Sequence, residues 1–105
     1  MKIEIFPRAE ADIIRQFRYY LVEQAAPAVA SRFGEAEIAS IEQLRPNPRI
    51  GTLDRGSISG LRWWPVKGFE AIRIDYFEAP GSVRAVRILH GKRDVRRILK
   101  GEQTG

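Results

Sequence analysis

The sequence predicts a two-layer α+β fold. An N-terminal strand and an antiparallel helical hairpin pack on a three-stranded antiparallel meander, and a short C-terminal helix closes the chain. Three observations predict it. Apolar residues recur at spacings of three and four between residues 9 and 44, the period of helices with one buried stripe. Between residues 60 and 90 that period gives way to strand-like stretches, with apolar–polar alternation clearest from Ile72 to Tyr76. Short clusters of Gly and Pro cut the alternating part into three pieces. A chain of 105 residues suits a single domain, 1–105.

Lys2 to Phe6 alternates, with Ile3 and Ile5 on one face, and reads as a short strand that joins the sheet edge. Pro7 ends it and suits entry to a helix. From Ala9, the residues Ile13, Phe17, Tyr20 and Leu21 form one helical stripe. Gln24-Ala25-Ala26-Pro27 closes that helix, because a residue before proline avoids the helical region. The second helix starts near Pro27, carries Val29, Phe33, Ala36, Ile41 and Leu44, and stops before Pro46-Asn47-Pro48. So short a link makes the two helices an antiparallel hairpin.

Pro46 to Ser59 reads as loop, dense in turn residues. Gly60 to Val66 is the first strand of the meander, and Lys67-Gly68 is a tight turn. Pro65 places the end of that strand at an edge or a bulge. Phe69 to Phe77 is the next strand, with Ile72, Ile74 and Tyr76 on one face. A turn over Ala79-Pro80-Gly81-Ser82 leads to a third strand, Val83 to His90. Lys92 to Lys100 reads as a short helix through Val95, Ile98 and Leu99, stopped by Gly101.

There is no cysteine, which removes disulfides and thiolate metal sites and fits a reducing compartment such as the cytoplasm. The start, MKIEIFPRAEAD, holds no long apolar run, so no signal peptide is expected. No apolar run is long enough to span a bilayer, and no membrane partner is expected. The net charge is +5, and its distribution says more than its size. Residues 1 to 83 are balanced, with 11 basic and 11 acidic. From Arg84 onward there are 7 basic residues and 2 acidic ones. A localised patch of this kind suits an acidic partner, whether nucleic acid, ribosome or protein segment. The bland alternative is a solvated basic helix end that complements its own dipole.

Trp63 and Trp64 point to opposite faces of their strand. Trp63, which shares a face with Leu61, is the expected core residue. Trp64 is then partly exposed beside the basic surface, placed to pack on the C-terminal helix or a partner, or to stack on a base. His90 ends a strand before a glycine turn, where its ring can tie the turn to a backbone group. Asp94 suits amide capping in the first turn of a helix, or pairing with an arginine.

The element order, with Gly60-Leu61-Arg62, the Pro65 to Phe69 hairpin and Leu89-His90-Gly91-Lys92-Arg93-Asp94, resembles the RelE/ParE superfamily of toxins from bacterial type II toxin–antitoxin systems. Asp12-Ile13 and the Tyr19-Tyr20 pair are similar to the family's first helices. The resemblance covers nearly the whole chain. The Leu-His-Gly-x-Arg-Asp stretch after the last strand is similar to the ParE-like side. That branch implies a protein that poisons DNA gyrase by binding rather than by catalysis, needs no cofactor or metal, and is neutralised by a cognate antitoxin.

The resemblance implies a hetero-oligomer with an antitoxin whose C-terminal segment folds on binding. Trp64, Arg84, Ile98 and Leu99 are its expected docking points, with residues 25 to 32 as a further candidate. Lys92, Arg93, Arg96 and Arg97 are the expected target-binding group. The other branch, RelE-like, implies a ribosome-dependent mRNA endonuclease. Such cleavage needs a base, a proton donor and phosphate-binding cations. Arg62, Arg87 and His90 are the candidates here, and Arg62, Arg73 and Arg87 are expected to share a sheet face. RelE-like toxins are expected to use a tyrosine in the C-terminal segment. None follows His90, since the three are Tyr19, Tyr20 and Tyr76.

Overall fold

The computed structural model describes residues 1–56, 58–91 and 93–94. Strand β1 (Lys2–Ile5) leads into helix α1 (Pro7–Arg18), which continues as a π-helical turn (Tyr19–Glu23). Helix α2 (Pro27–Glu42) follows. The remaining strands are β2 (Thr52–Leu53), β3 (Arg62–Val66), β4 (Phe69–Ala79) and β5 (Ser82–His90). The sheet runs β1-β5-β4-β3-β2, and only the β1–β5 pair is parallel.

Both helices open on proline, whose missing N–H would have had no intrahelical partner in any case. That is why α1 starts at Pro7, two residues ahead of the expected Ala9. The expected loop after α2 contains strand β2, with Thr52 opposite Trp63 and Leu53 opposite Arg62. Two exposed residues without alternation give no sequence signal for a strand. The loop is pinned from the core instead: the Tyr76 hydroxyl donates to Pro48 O at 2.7 Å and accepts from Gly51 N at 3.0 Å. A Cβ on Gly51 would collide with that hydroxyl and sit 2.7 Å from Trp63 O, so the approach requires glycine.

Paired residues share a sheet face. Trp64, Ile74 and Ile88 form one row of the face that meets the helices, and Arg62, Tyr76 and Ala85 form the next. Ala9, Phe33, Ile41 and Leu44 pack on these rows, with Ile13, Phe17 and Tyr20 at the margin. Tyr20, Phe33 and Phe69 meet as a ring trio with centroids 5.4 to 5.7 Å apart. The second face carries the rows Trp63–Asp75–Arg87 and Pro65–Arg73–Leu89.

The tryptophan assignment is therefore reversed: Trp64 packs against the core, and Trp63 lies on the second face under the Arg73 guanidinium at 4.2 Å. Leu61, although buried, precedes β3, so alternation counted forward from it is unreliable. Counted back from the buried Val66, the alternation places Trp64 correctly. Pro65 sits where β2 no longer accompanies β3 and where the β3–β4 register shifts, so it meets both conditions expected of it. Of the expected C-terminal helix, Arg93 and Asp94 are described and helical; Lys92 and residues 95–100 lie outside the described residues.

Candidate functional site

Strand β5 outruns its neighbour. β1 pairs with it only from Ser82 to Ala85, and Val86 bulges where the β4–β5 register shifts. Beyond that point the edge N–H groups of β5 have no strand to meet, and α1 runs alongside instead. Buried donors need acceptors. Two carboxylates supply them: Asp12 Oδ2 accepts from Ile88 N at 2.8 Å, and Asp94 Oδ2 accepts from His90 N at 2.6 Å.

Each carboxylate is also paired with arginine. Asp12 takes two bonds from Arg87, at 2.8 and 3.1 Å, and an ion pair from Arg15 at 2.9 Å. That hydrogen bonding raises the Arg87 pKa above its ordinary value, against the effect of burial. Asp94 receives Gln16 Nε2 at 2.5 Å and Arg15 at 3.2 Å. Burial pushes the Asp94 carboxyl up, but the His90 N–H, the Arg15 charge and the bonds from Gln16 and Arg15 outweigh it. The net position is below the usual carboxylate range. Arg15 thus bridges both acids from one side of α1, while its buried Nε has no partner among the described residues.

Arg93 completes the junction. Its guanidinium donates to Gln16 Oε1 at 2.9 Å and lies 3.7 Å from the centre of the Tyr19 ring. Its backbone N–H donates to His90 Nδ1 at 3.1 Å. Gln16 uses both ends of its amide, one on Asp94 and the other on Arg93, which fixes its orientation. The π-helical turn matters here: it lets adjacent residues serve different partners, Tyr19 against Arg93 and Tyr20 in the apolar ring trio.

The expected ribonuclease set does not converge. Arg62 lies in the row of Tyr76, on the helix-facing side, and donates to Gly51 O at 2.9 Å. Arg73 and Arg87 lie in rows of the other face, so the three arginines do not share one face as expected. Strand pairing fixes this, because Arg62 is opposite Tyr76 whereas Arg87 is opposite Asp75. His90 falls in the row of Ile72, with its ring tied to the Arg93 backbone. Asp75 sits between Trp63 and Arg87, and burial, partly offset by Arg73, pushes its carboxyl up to about 6.

The expected docking set is likewise divided. Trp64 is half-buried on the helix side and donates from Nε1 to Gln43 Oε1 at 3.0 Å. Arg84 lies on the other face, exposed and paired with Glu4 at 3.3 Å. Ile98, Leu99, Lys92, Arg96 and Arg97 lie outside the described residues. Among the described residues no cluster of His, Asp and Glu could hold a metal ion. None of the described helices is long and apolar enough to cross a membrane.

Sequence reasoning missed Arg15, Gln16 and Tyr19 as partners of the motif after β5. A signal existed. Asp12 and Gln16 are four apart and run beside the apolar stripe of Ala9, Ile13 and Phe17, which marks them as neighbours of a buried surface.

Comparison with known proteins gives one family and one fold. The family described as the ParE toxin of type II toxin-antitoxin system, parDE, matches residues 3–95. A solved structure titled as a chromosomal ParDE TA system from P. aeruginosa superposes with a TM-score of 0.73 at 16% identity. The match covers 86% of this chain and 95% of that one. No curated protein matches by sequence.

Proposed function

Because this chain belongs to the ParE toxin family of type II toxin–antitoxin systems, we propose that it poisons DNA gyrase by binding and is held inactive by a cognate antitoxin. The observation that carries this reading is the use made of the Leu89–Asp94 stretch. His90, Arg93 and Asp94 are bonded to one another or to α1, and Arg87 is bonded to Asp12. Groups spent on structural bonds of this kind, most of them partly buried, are poor candidates for a base, an acid and a phosphate clamp. A rigid root for a basic segment is what they do make.

Residues 95–105 follow directly from Asp94 and carry Arg96, Arg97 and Lys100. We assign target binding to this segment together with Lys92. Arg93 has the different role of holding the root in place. Cationic groups at a fixed root would steer the protein to an acidic target. The site of action is the cytoplasm.

The test is a pair of assays on protein freed of antitoxin: gyrase supercoiling read for trapped cleaved DNA, and mRNA cleavage on translating ribosomes. The expected result is loss of supercoiling with cleaved DNA accumulating, and intact mRNA. Cut mRNA that becomes intact with His90→Ala would establish the endonuclease reading instead. Deleting residues 95–105, which spares Arg93 and Asp94, is expected to weaken the gyrase effect; full potency would remove the segment from the target surface.

A further inference from the structure

Strand β1 is one edge of the sheet, and among the described residues no strand pairs with its outward side. Lys2 N–H donates to Gly81 O and Phe6 N–H to Ala85 O, both at 2.9 Å. Backbone groups of successive residues in a strand point to alternate sides, so the N–H and C=O groups of Ile3 and Ile5 face away from β5. An open row of this kind is a template for another strand. Apolar exposure gathers on the same segment: Met1 is 48% exposed and Ile5 is 42% exposed. The opposite edge, β2, has two residues and offers far less to pair with.

The segment itself names the occupant. Met1-Lys2-Ile3-Glu4-Ile5, laid antiparallel on a second copy with Ile3 opposite Ile3, matches at every position. Met1 faces Ile5, Lys2 faces Glu4, and both pairs recur by two-fold symmetry. The backbone restricts the registers, because directly opposed residues must both present their outward groups or both withhold them. The neighbouring allowed registers set Lys2 opposite Lys2, or Glu4 opposite Glu4, and like charges repel there. A lone edge lysine discourages pairing; Glu4, two residues on, turns that charge into a match. Ile3 and Ile5 share rows with Val83 and Ala85, so the apolar pairs continue the helix-facing side of the sheet. The chain's positive excess is not in the way. It begins in earnest beyond His90, which is five residues along β5 from the end of the β1 pairing, or about 17 Å. That exceeds the screening length of about 8 Å at physiological salt.

We propose that two copies of this chain associate through β1, antiparallel and centred on Ile3, to form one continuous sheet. The Ile3 pair exchanges main-chain bonds in both directions, and Ile5 N–H donates to Met1 O of the other copy, roughly four bonds in all. Met1 O already accepts from Arg45 at 2.6 Å and has a second lone pair for this purpose. Lys2 and Glu4 form the pairs without main-chain bonds, whose side chains come closest. Glu4 is steadied for that role by Arg84 at 3.3 Å. The contact is small beside the roughly 1,600 Å² of a standard interface, so the dimer is reversible. It also has a consequence for binding. β5 runs parallel to β1, so the two β5 strands run in opposite directions and the two Asp94 roots lie toward opposite ends of the joined sheet. The dimer presents its basic segments as a bivalent pair.

The experiment follows the sedimentation of the purified full-length chain, freed of antitoxin, from about 1 μM to about 1 mM. Wild type is expected to pass from monomer to dimer across that range. Lys2→Glu and Glu4→Lys each set like charges opposite one another and are expected to weaken the dimer by about tenfold. The double variant restores opposite charges and is expected to return to within about threefold of wild type. Thermal melting of each variant separates lost pairing from lost folding, and the Lys2 side chain is 74% exposed, so its reversal leaves the core alone. Ile3→Cys reads the register, since the chain has no cysteine of its own. Opposed residues that exchange main-chain bonds have Cα atoms about 5.5 Å apart, within disulfide reach, so oxidation is expected to give a covalent dimer. Glu4→Cys, offset from its symmetry mate by two residues and beyond about 7 Å, is expected to give none. A wild type that stays monomeric up to about 1 mM overturns the proposal. So does a dimer that both single charge variants leave intact, one that the double variant fails to restore, or one that Ile3→Cys does not cross-link.

Discussion

Helices α1 and α2 cover the same sheet, and they hold it by different chemistry. On the α2 side most of the hold is apolar: Phe33 and Ile41 of α2, with Leu44 just beyond it, pack with Val66, Ile72 and Ile74, and that attraction is non-directional, although Glu37 and Ser40 are buried on the same helix. The β5 side of α1 is ionic: Asp12, Arg15 and Gln16 bond to Arg87, Ile88, Arg93 and Asp94 at defined distances. Apolar packing tolerates sliding and resizing more readily than a charge network does. The α2 side therefore serves stability, and the α1 side fixes where the chain beyond β5 begins. Ion networks of this kind are costly to desolvate, so their value is position rather than net energy.

The largest effect expected on this contrast comes from Asp12→Ala. It leaves the Ile88 N–H without its acceptor and removes carboxylate partners of Arg87 and Arg15 in one step. The loss should be about 3–5 kcal/mol, against a total of about 5–15 kcal/mol for a domain this size. Asp12→Asn keeps an oxygen for the Ile88 N–H and should lose less. Urea unfolding of both variants reads the difference. Equal losses would show that the ion pairs, not the strand-edge bond, make the junction. A loss under about 1 kcal/mol for Asp12→Ala would erase the contrast with α2 altogether.

Next in size is Tyr76→Phe, which tests a polar contact on the apolar side. The hydroxyl serves Pro48 O and Gly51 N–H, and its removal leaves both without that partner. About 1–3 kcal/mol should be lost, or roughly 4 °C or more in melting temperature per kcal/mol. A negligible shift would mean that the 48–53 loop is held by β2 pairing alone.

How legible each side was in the sequence follows from the same physics. The α2 face and the three long strands announce themselves by period, because burying one stripe or one face demands a repeat. Trp64 was legible too, had the alternation been counted from Val66. The α1 junction has no such period. Asp12 and Asp94 are 82 positions apart in the chain, and nothing local says that one caps Ile88 and the other His90. The family resemblance pointed to the Leu89–Asp94 stretch but not to its partners Gln16 and Tyr19. Strand β2 was invisible for a simpler reason: its two residues are too few to show alternation.

Acid and alkali should act on the two sides in opposite senses. Glu37, on the apolar side of α2, is 4% exposed and has no hydrogen bond or ion pair among the described residues; burial pushes its carboxyl up to about 7. Between its ordinary value of 4.5 and about 7 the folded state therefore holds a proton that the unfolded state does not. Stability from this group is full below 4.5 and is lost as pH rises to about 7. Asp94 is depressed, so its contribution is full above its ordinary value of 3.8 and is lost as pH falls through its folded pKa. Glu37→Gln should thus raise stability at pH 8 by on the order of 1 kcal/mol and leave it unchanged near pH 4. Denaturant midpoints across that range would show it. A gain of the same size at both ends would point to packing, not to the charge.

The smallest effect concerns the link between the two sides. Ala25 joins the π-helical turn to α2 with φ of 47°, a left-handed conformation that a Cβ disfavours. Glycine would relieve about 1 kcal/mol there, but it also frees the unfolded chain by about 0.4–1 kcal/mol. Ala25→Gly should therefore gain only a few tenths of a kcal/mol, within about 2 °C in melting temperature. The sign carries the information. A gain means that the π-helical turn is held in place from both ends, by Tyr19 under Arg93 and by Tyr20 in the ring trio, strongly enough to impose strain on the link. A loss means that the link is relaxed, and that the ionic and apolar sides of the molecule meet without strain at their shared corner.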